Sequence, residues 1–134
     1  LEVSLQSAQM KSEGLEPVLL SRSQFAQLYW TPAQMVTHHS SNGCNLQPGD
    51  LLGSGTVSGR GRDERGCLLE LTWDGGLDNP VPSSQRTPVK LPTGEERKFL
   101  ADGDTVTIAG HCQREGFVRI GFGTCTGQIV AADD

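Results

Sequence analysis

With 134 residues, only 35% of them hydrophobic, and 17 glycines, the chain has material for one lean core and therefore for one domain or part of one. A net charge of −5, with lysine and arginine scattered rather than striped, argues against a nucleic-acid or anionic-membrane surface. No apolar run approaches the roughly 20 residues of a membrane helix and no signal-peptide pattern opens the sequence, so a soluble chain is expected.

In chain order, Leu1-Glu2-Val3-Ser4-Leu5 comes first and alternates apolar and polar as a strand interior does. No initiator Met precedes it, and a start in mid-structure is expected, the chain being a fragment of a larger domain. Short apolar runs broken by Gly, Pro, Asn and Asp then recur to the end, the pattern of a mainly β domain with tight turns. One short helix is expected near residues 32–41. Thr31 and Gln34 have capping-box spacing, Pro32 takes the tolerated first position, and Asn42-Gly43 supplies a left-handed stop. Met35, Val36 and His39 would form its buried face.

Pro48-Gly49-Asp50 before Leu51-Leu52, and Asp102-Gly103-Asp104 before Thr105-Val106-Thr107-Ile108, each read as a tight turn launching a strand. Aspartates in such turns bond their own backbone, so Asp50 and Asp104 are not taken as a catalytic pair. Cys67-Leu68-Leu69-Glu70-Leu71-Thr72-Trp73 and Arg97-Lys98-Phe99-Leu100 read as further strands, as do residues 105–110, 119–122 and 127–130. Residues 78–96 carry Pro80, Pro82, Pro88 and Pro92 with few apolar side chains, which predicts an exposed loop.

Several chemical motifs fail on spacing. Gly53, Gly55 and Gly59 invite a dinucleotide reading, yet the pattern is Gly-x-Gly-x-x-x-Gly with no helix after it and no Lys beside Ser or Thr for a phosphate loop. His38 and His39 are adjacent on the expected helix and point about 100° apart, so packing or capping suits them better than chelation. His111, near a strand end, reads as structural. Cys44, Cys67, Cys112 and Cys125 form no Cys-x-x-Cys pair and are too sparse for a secreted disulfide scaffold. Reduced thiols packed as small apolar groups in a cytosolic protein are expected.

Two features remain. The run from Gly49 to Gly59 offers backbone that a ligand can approach closely, and Thr56, beside Gly55, could aim both hydroxyl and N–H at a ligand oxygen. On composition alone, a turn or strand-end threonine is the commoner role. Glu70 lies in an apolar run where, on a strand, it would share its side with Leu68 and Thr72, opposite Leu69 and Leu71. That pattern taken alone gives an exposed-face glutamate, but a carboxylate among Leu and Trp is costly to bury without a partner.

The glycine-rich stretch and Glu70 run, with Tyr29-Trp30-Thr31, Thr37-His38-His39-Ser40 and Arg119-Ile120-Gly121-Phe122-Gly123, resemble the C-terminal portion of the fumarylacetoacetate hydrolase family over nearly the whole chain. The resemblance implies a mixed β-roll or β-sandwich, residues 1–134 being the C-terminal part of a catalytic domain whose upstream part is missing. It implies hydrolysis of a carbon–carbon bond in a diketo acid, 4-fumarylacetoacetate, to fumarate and acetoacetate in tyrosine and phenylalanine breakdown. Within that reaction the Gly55-Thr56 pair would contact substrate, and Glu70 would be catalytic, holding a histidine that activates the attacking water. The histidine and the ligands of a Mg²⁺ or Ca²⁺ ion would lie outside this chain, which alone would be inactive. A cytoplasmic homodimer is likewise implied.

Shorter relatives acting on acylpyruvates share mainly the Gly-Asp turn and the Gly-Thr strand, so a related diketo-acid hydrolase stays open. So does a non-catalytic β-rich interaction module in which Glu70 is merely a surface residue.

Overall fold

The computed structural model describes residues 1–74 and 85–132. The opening alternation becomes β1 (Glu2–Gln6), with Leu5 fully buried. A tight helix, α1 (Ala8–Ser12), follows because the Ser7 hydroxyl accepts the Met10 N–H at 3.1 Å and Gly14, at φ +69°, ends the turn. β2 (Val18–Arg22) returns antiparallel to β1. The next regular element is α2 (Pro32–Ser40), where the Thr31–Gln34 capping box, Pro32 at the first turn and Gly43 at φ +85° fall as the sequence predicts.

Three short elements bridge to the C-terminal half: α3 (Leu68–Leu71) and the hairpin strands β3 (Val89–Lys90) and β4 (Glu96–Arg97). The hairpin turns at Gly94, whose N–H donates to the Leu91 carbonyl at 2.9 Å with φ at +85°. Two long strands close the chain, β5 (Thr105–Cys112) and β6 (Ile120–Gln128). The main sheet has the order β2-β1-β5-β6, antiparallel throughout, with register breaks at Val3/Ser4 and Ala109/His111. Among the described residues the chain is therefore mainly β, with one helix longer than two turns, as expected.

The core is as lean as the composition requires. Leu5, Met10 and Leu91 are its buried centre, with Leu15, Val18, Leu20, Val89 and Val106 packed around them. It thus sits where α1 and the β3–β4 hairpin meet the β2-β1-β5 part of the sheet. Polar side chains lock the same junction: Glu95 accepts from the Ser7 and Thr93 hydroxyls and from Arg97. By contrast β6 is exposed along its whole length, including Ile120 and Phe122.

Several local expectations are corrected. The Cys67–Trp73 run is not a strand: residues 68–71 form α3, because the carbonyls at its end find arginine donors rather than a ladder. Leu51 and Leu52 follow the Pro48-Gly49-Asp50 turn without entering a sheet, and Leu51 is 97% exposed. A strand needs a partner edge, and no described segment supplies one there. Of the expected strand at 97–100 only Arg97 is paired, as the second residue of β4. The two C-terminal strands are one, β6, because pairing to β5 resumes on both sides of the irregularity at Ala109/His111 and carries Gly121 and Gly127 in the ladder. On α2, Val36 and His39 are exposed and Met35 is half-buried, so the helix packs far less than its pattern suggested. The thiols of Cys44, Cys112 and Cys125 are free and exposed rather than packed, and Cys67 alone is partly buried. Of the expected loop at 78–96, residues 78–84 lie outside the described residues, and part of the remainder forms β3 and β4.

Candidate active site

Glu70 reaches its place through a short helix built on side-chain caps. With four residues, of which Leu71 is buried, α3 has little stability of its own. The Thr72 hydroxyl donates back to the Leu68 carbonyl at 2.9 Å. Arg65 Nη1 donates to the carbonyls of Glu70 at 2.6 Å and Trp73 at 3.2 Å, and Arg62 Nη2 to that of Leu71 at 3.1 Å. These cations satisfy carbonyls that a helix end leaves unpaired. Leu71 and Thr72 are buried while Leu69 is 52% exposed, so the helical turn, not strand alternation, decides which side Glu70 shares.

The Glu70 side chain is half-buried and held at one oxygen. Oε2 accepts from the Ser58 hydroxyl at 2.8 Å and from the Cys67 thiol at 3.1 Å. Ser58 Oγ in turn accepts the Gly66 N–H at 3.0 Å. Burial, reinforced by the adjacent Glu70 carboxylate, pushes the Cys67 thiol up, which keeps it a proton donor at neutral pH.

Thr56 lies against Gly66, just before α3. Residues 56–58 pass so close to Gly66 that a Cβ there would lie 2.4 Å from the Val57 carbonyl oxygen and 2.8 Å from Thr56 Cγ2. Thr56 is exposed, and Gly55 turns beside it at φ +73°, a conformation that favours glycine. Of the residues singled out in the sequence, Glu70 is the one bonded to Ser58, while Gly55 and Thr56 lie two to three residues before Ser58 in the chain. Sequence reasoning missed Ser58 because a contact across twelve residues leaves no periodic trace, and Arg65 and Cys67 because the run was read as a strand rather than as the helical turn that brings them to Glu70.

Other candidates sort as follows. Asp50 accepts the Gln47 N–H at 2.8 Å and Asp104 the Ala101 N–H at 2.9 Å, as turn aspartates do. His39 Nε2 lies 3.7 Å from the Cys44 sulfur on an exposed surface. No group of three or more His, Cys, Asp or Glu among the described residues can hold a metal ion. A trough of about 1180 Å³ runs along β2, lined in part by Arg22, Gln24, His111 and Phe122, and touches neither Thr56 nor Glu70. The chemistry of a half-buried carboxylate with fixed donors outweighs that open concavity. No helix among the described residues is long and apolar enough to cross a membrane.

Comparison with known proteins places the chain as a whole. Residues 7–130 match the family model described as fumarylacetoacetate (FAA) hydrolase C-terminal. The chain is 49% identical over 127 residues to the fumarylacetoacetase of Bos taurus, covering 94% of this chain and 28% of that protein. It is 46% identical over 127 residues to that of Homo sapiens, with the same coverage. Against the fumarylacetoacetase of Arabidopsis thaliana it is 47% identical over 130 residues, 96% of this chain and 28% of the relative. The chain thus spans just over a quarter of the length of these curated relatives. With the match covering nearly all of it, the chain belongs to the fumarylacetoacetate hydrolase family, in the part that the family's C-terminal model describes.

Proposed function

We propose that this chain forms one wall of the active site of a fumarylacetoacetase, which hydrolyses the carbon–carbon bond of 4-fumarylacetoacetate to fumarate and acetoacetate in tyrosine and phenylalanine breakdown. Residues 1–134 would be the C-terminal part of the catalytic domain, acting with the rest of the same protein in a cytoplasmic homodimer. The observation that carries this reading is the Glu70 carboxylate, half-buried, with both described donors on Oε2 and neither on Oε1. Oε1 can then accept the N–H of an imidazole supplied by the upstream part of the protein.

A carboxylate so bonded fixes the imidazole tautomer, leaves the second ring nitrogen to take a proton from water, and stabilises the imidazolium formed. Water attacks the carbonyl next to the fumaryl double bond, the carbon–carbon bond on its other side breaks, and the electron pair leaves on the acetoacetate fragment as an enolate-like carbanion that is then protonated. Thr56, exposed beside the flexible Gly55, would donate its hydroxyl to a substrate oxygen. A divalent ion, Mg²⁺ or Ca²⁺, belongs to the same reading. The described residues offer no ligand set for it, and the steps assigned to this chain do not involve it.

Partial burial and two donors favour this reading over a solvated surface glutamate in an interaction module. That the relatives are fumarylacetoacetases favours fumarylacetoacetate over an acylpyruvate. Kinetics of full-length Glu70→Gln and Thr56→Val on 4-fumarylacetoacetate test the reading. Near wild-type turnover by Glu70→Gln would overturn it.

A further inference from the structure

We propose that Ser58 is the positioning residue that aims the Glu70 carboxylate, an inference that rests on the function proposed above. The geometry is directional. The Gly66 N–H donates to Ser58 Oγ at 3.0 Å, which occupies a lone pair of the hydroxyl and turns its proton toward Glu70 Oε2, 2.8 Å away. The Cys67 thiol donates to the same oxygen at 3.1 Å. With Oε2 held by two donors, rotation of the carboxylate is restricted and Oε1 faces away from both. Oε1 is the oxygen left to hold an imidazole.

The backbone is shaped to make this contact. Gly66 has no side chain, and any Cβ there would strike the Val57 carbonyl, so the 56–58 segment can lie against residues 66–67. Arg65 fixes the other end of the turn by donating to the Glu70 carbonyl at 2.6 Å. Ser58 therefore joins the two wall segments, one carrying Thr56 and the other Glu70. Of the two donors to Oε2, the hydroxyl is the stronger, since a thiol is a weak donor. Ser58 touches no substrate in this arrangement; it acts through Glu70.

The test uses the full-length enzyme and initial rates on 4-fumarylacetoacetate. Ser58→Ala is expected to lower kcat about tenfold with KM within about twofold, the scale of one hydrogen bond to a charged group. Ser58→Thr, which keeps the hydroxyl, is expected to restore most of that loss. In a Glu70→Gln background, Ser58→Ala should add less than about twofold, because the two residues act as one unit. Ser58→Cys keeps the size but only a feeble donor, and should show a smaller loss confined to kcat; it decides the matter if Ser58→Ala does not fold. Wild-type kcat for Ser58→Ala beside a crippled Glu70→Gln would overturn this inference alone. Equal impairment of the Ala and Thr variants in kcat, KM and melting temperature, or an undiminished effect in the Glu70→Gln background, would reduce Ser58 to a structural residue. Near wild-type kcat for Glu70→Gln itself would instead remove the function on which the inference rests.

Discussion

Arg97 clasps Asp104 through two donors, Nε to Oδ2 at 2.8 Å and Nη2 to Oδ1 at 3.0 Å, and Asp104 is fully buried. The same Nη2 reaches Glu95 Oε1 at 2.8 Å, so one guanidinium ties the β3–β4 hairpin to the turn that launches β5. A buried carboxylate that loses its cation stays desolvated and uncompensated. Arg97→Met is therefore expected to destabilise the chain by about 3–5 kcal/mol. Urea unfolding measures it; a loss under about 1 kcal/mol would mean that the pair is merely a surface contact.

Glu95 adds an acid-sensitive element. The Ser7 hydroxyl first, then Thr93 and Arg97, hold its carboxyl at about 2 against an ordinary 4.5. The folded state thus favours the ionised form. Its contribution is complete above pH 4.5 and disappears as pH falls through about 2. Glu95→Gln should accordingly unfold at lower urea than wild type at pH 6, with the two midpoints converging as pH drops toward 2. A gap that stays constant over that range would contradict the assignment.

In the full-length enzyme, Glu70→Gln keeps the shape of the side chain but removes its charge. Turnover is expected to fall by about 10²–10⁴-fold, the range of a disabled general base, with folding retained. The histidine proposed as its partner would lose the carboxylate that raises its pKa, so the acid limb of the residual pH–rate profile should move to lower pH. A lowered rate with an unmoved acid limb would show that Glu70 acts otherwise than through an imidazole.

Thr56→Val removes a hydroxyl at nearly constant shape from an exposed position, so the fold should barely notice. If that hydroxyl bonds a charged substrate oxygen, kcat/KM should fall by the equivalent of about 1–3 kcal/mol. Unchanged kinetics beside an unchanged melting temperature would return Thr56 to the role of a turn residue.

What the sequence determined alone is local and chemical. The alternation of Leu1–Leu5, the Thr31–Gln34 capping box with Pro32 and Gly43, and the turn aspartates at 50 and 104 are written in a few adjacent residues, and each appears where predicted. Composition fixed the lean core, and the motif string carried the family. Tertiary structure decided the rest. Whether Leu68-Leu69-Glu70-Leu71 becomes strand or helix depends on Arg62 and Arg65 finding its carbonyls, and whether Leu51-Leu52 pairs depends on an available edge. Asp104 looked like an ordinary turn residue because its ion pair with Arg97 joins side chains seven residues apart on different elements. Ser58 meets Glu70 only because Gly66 lets two backbone segments touch, a closeness that no spacing in the sequence encodes.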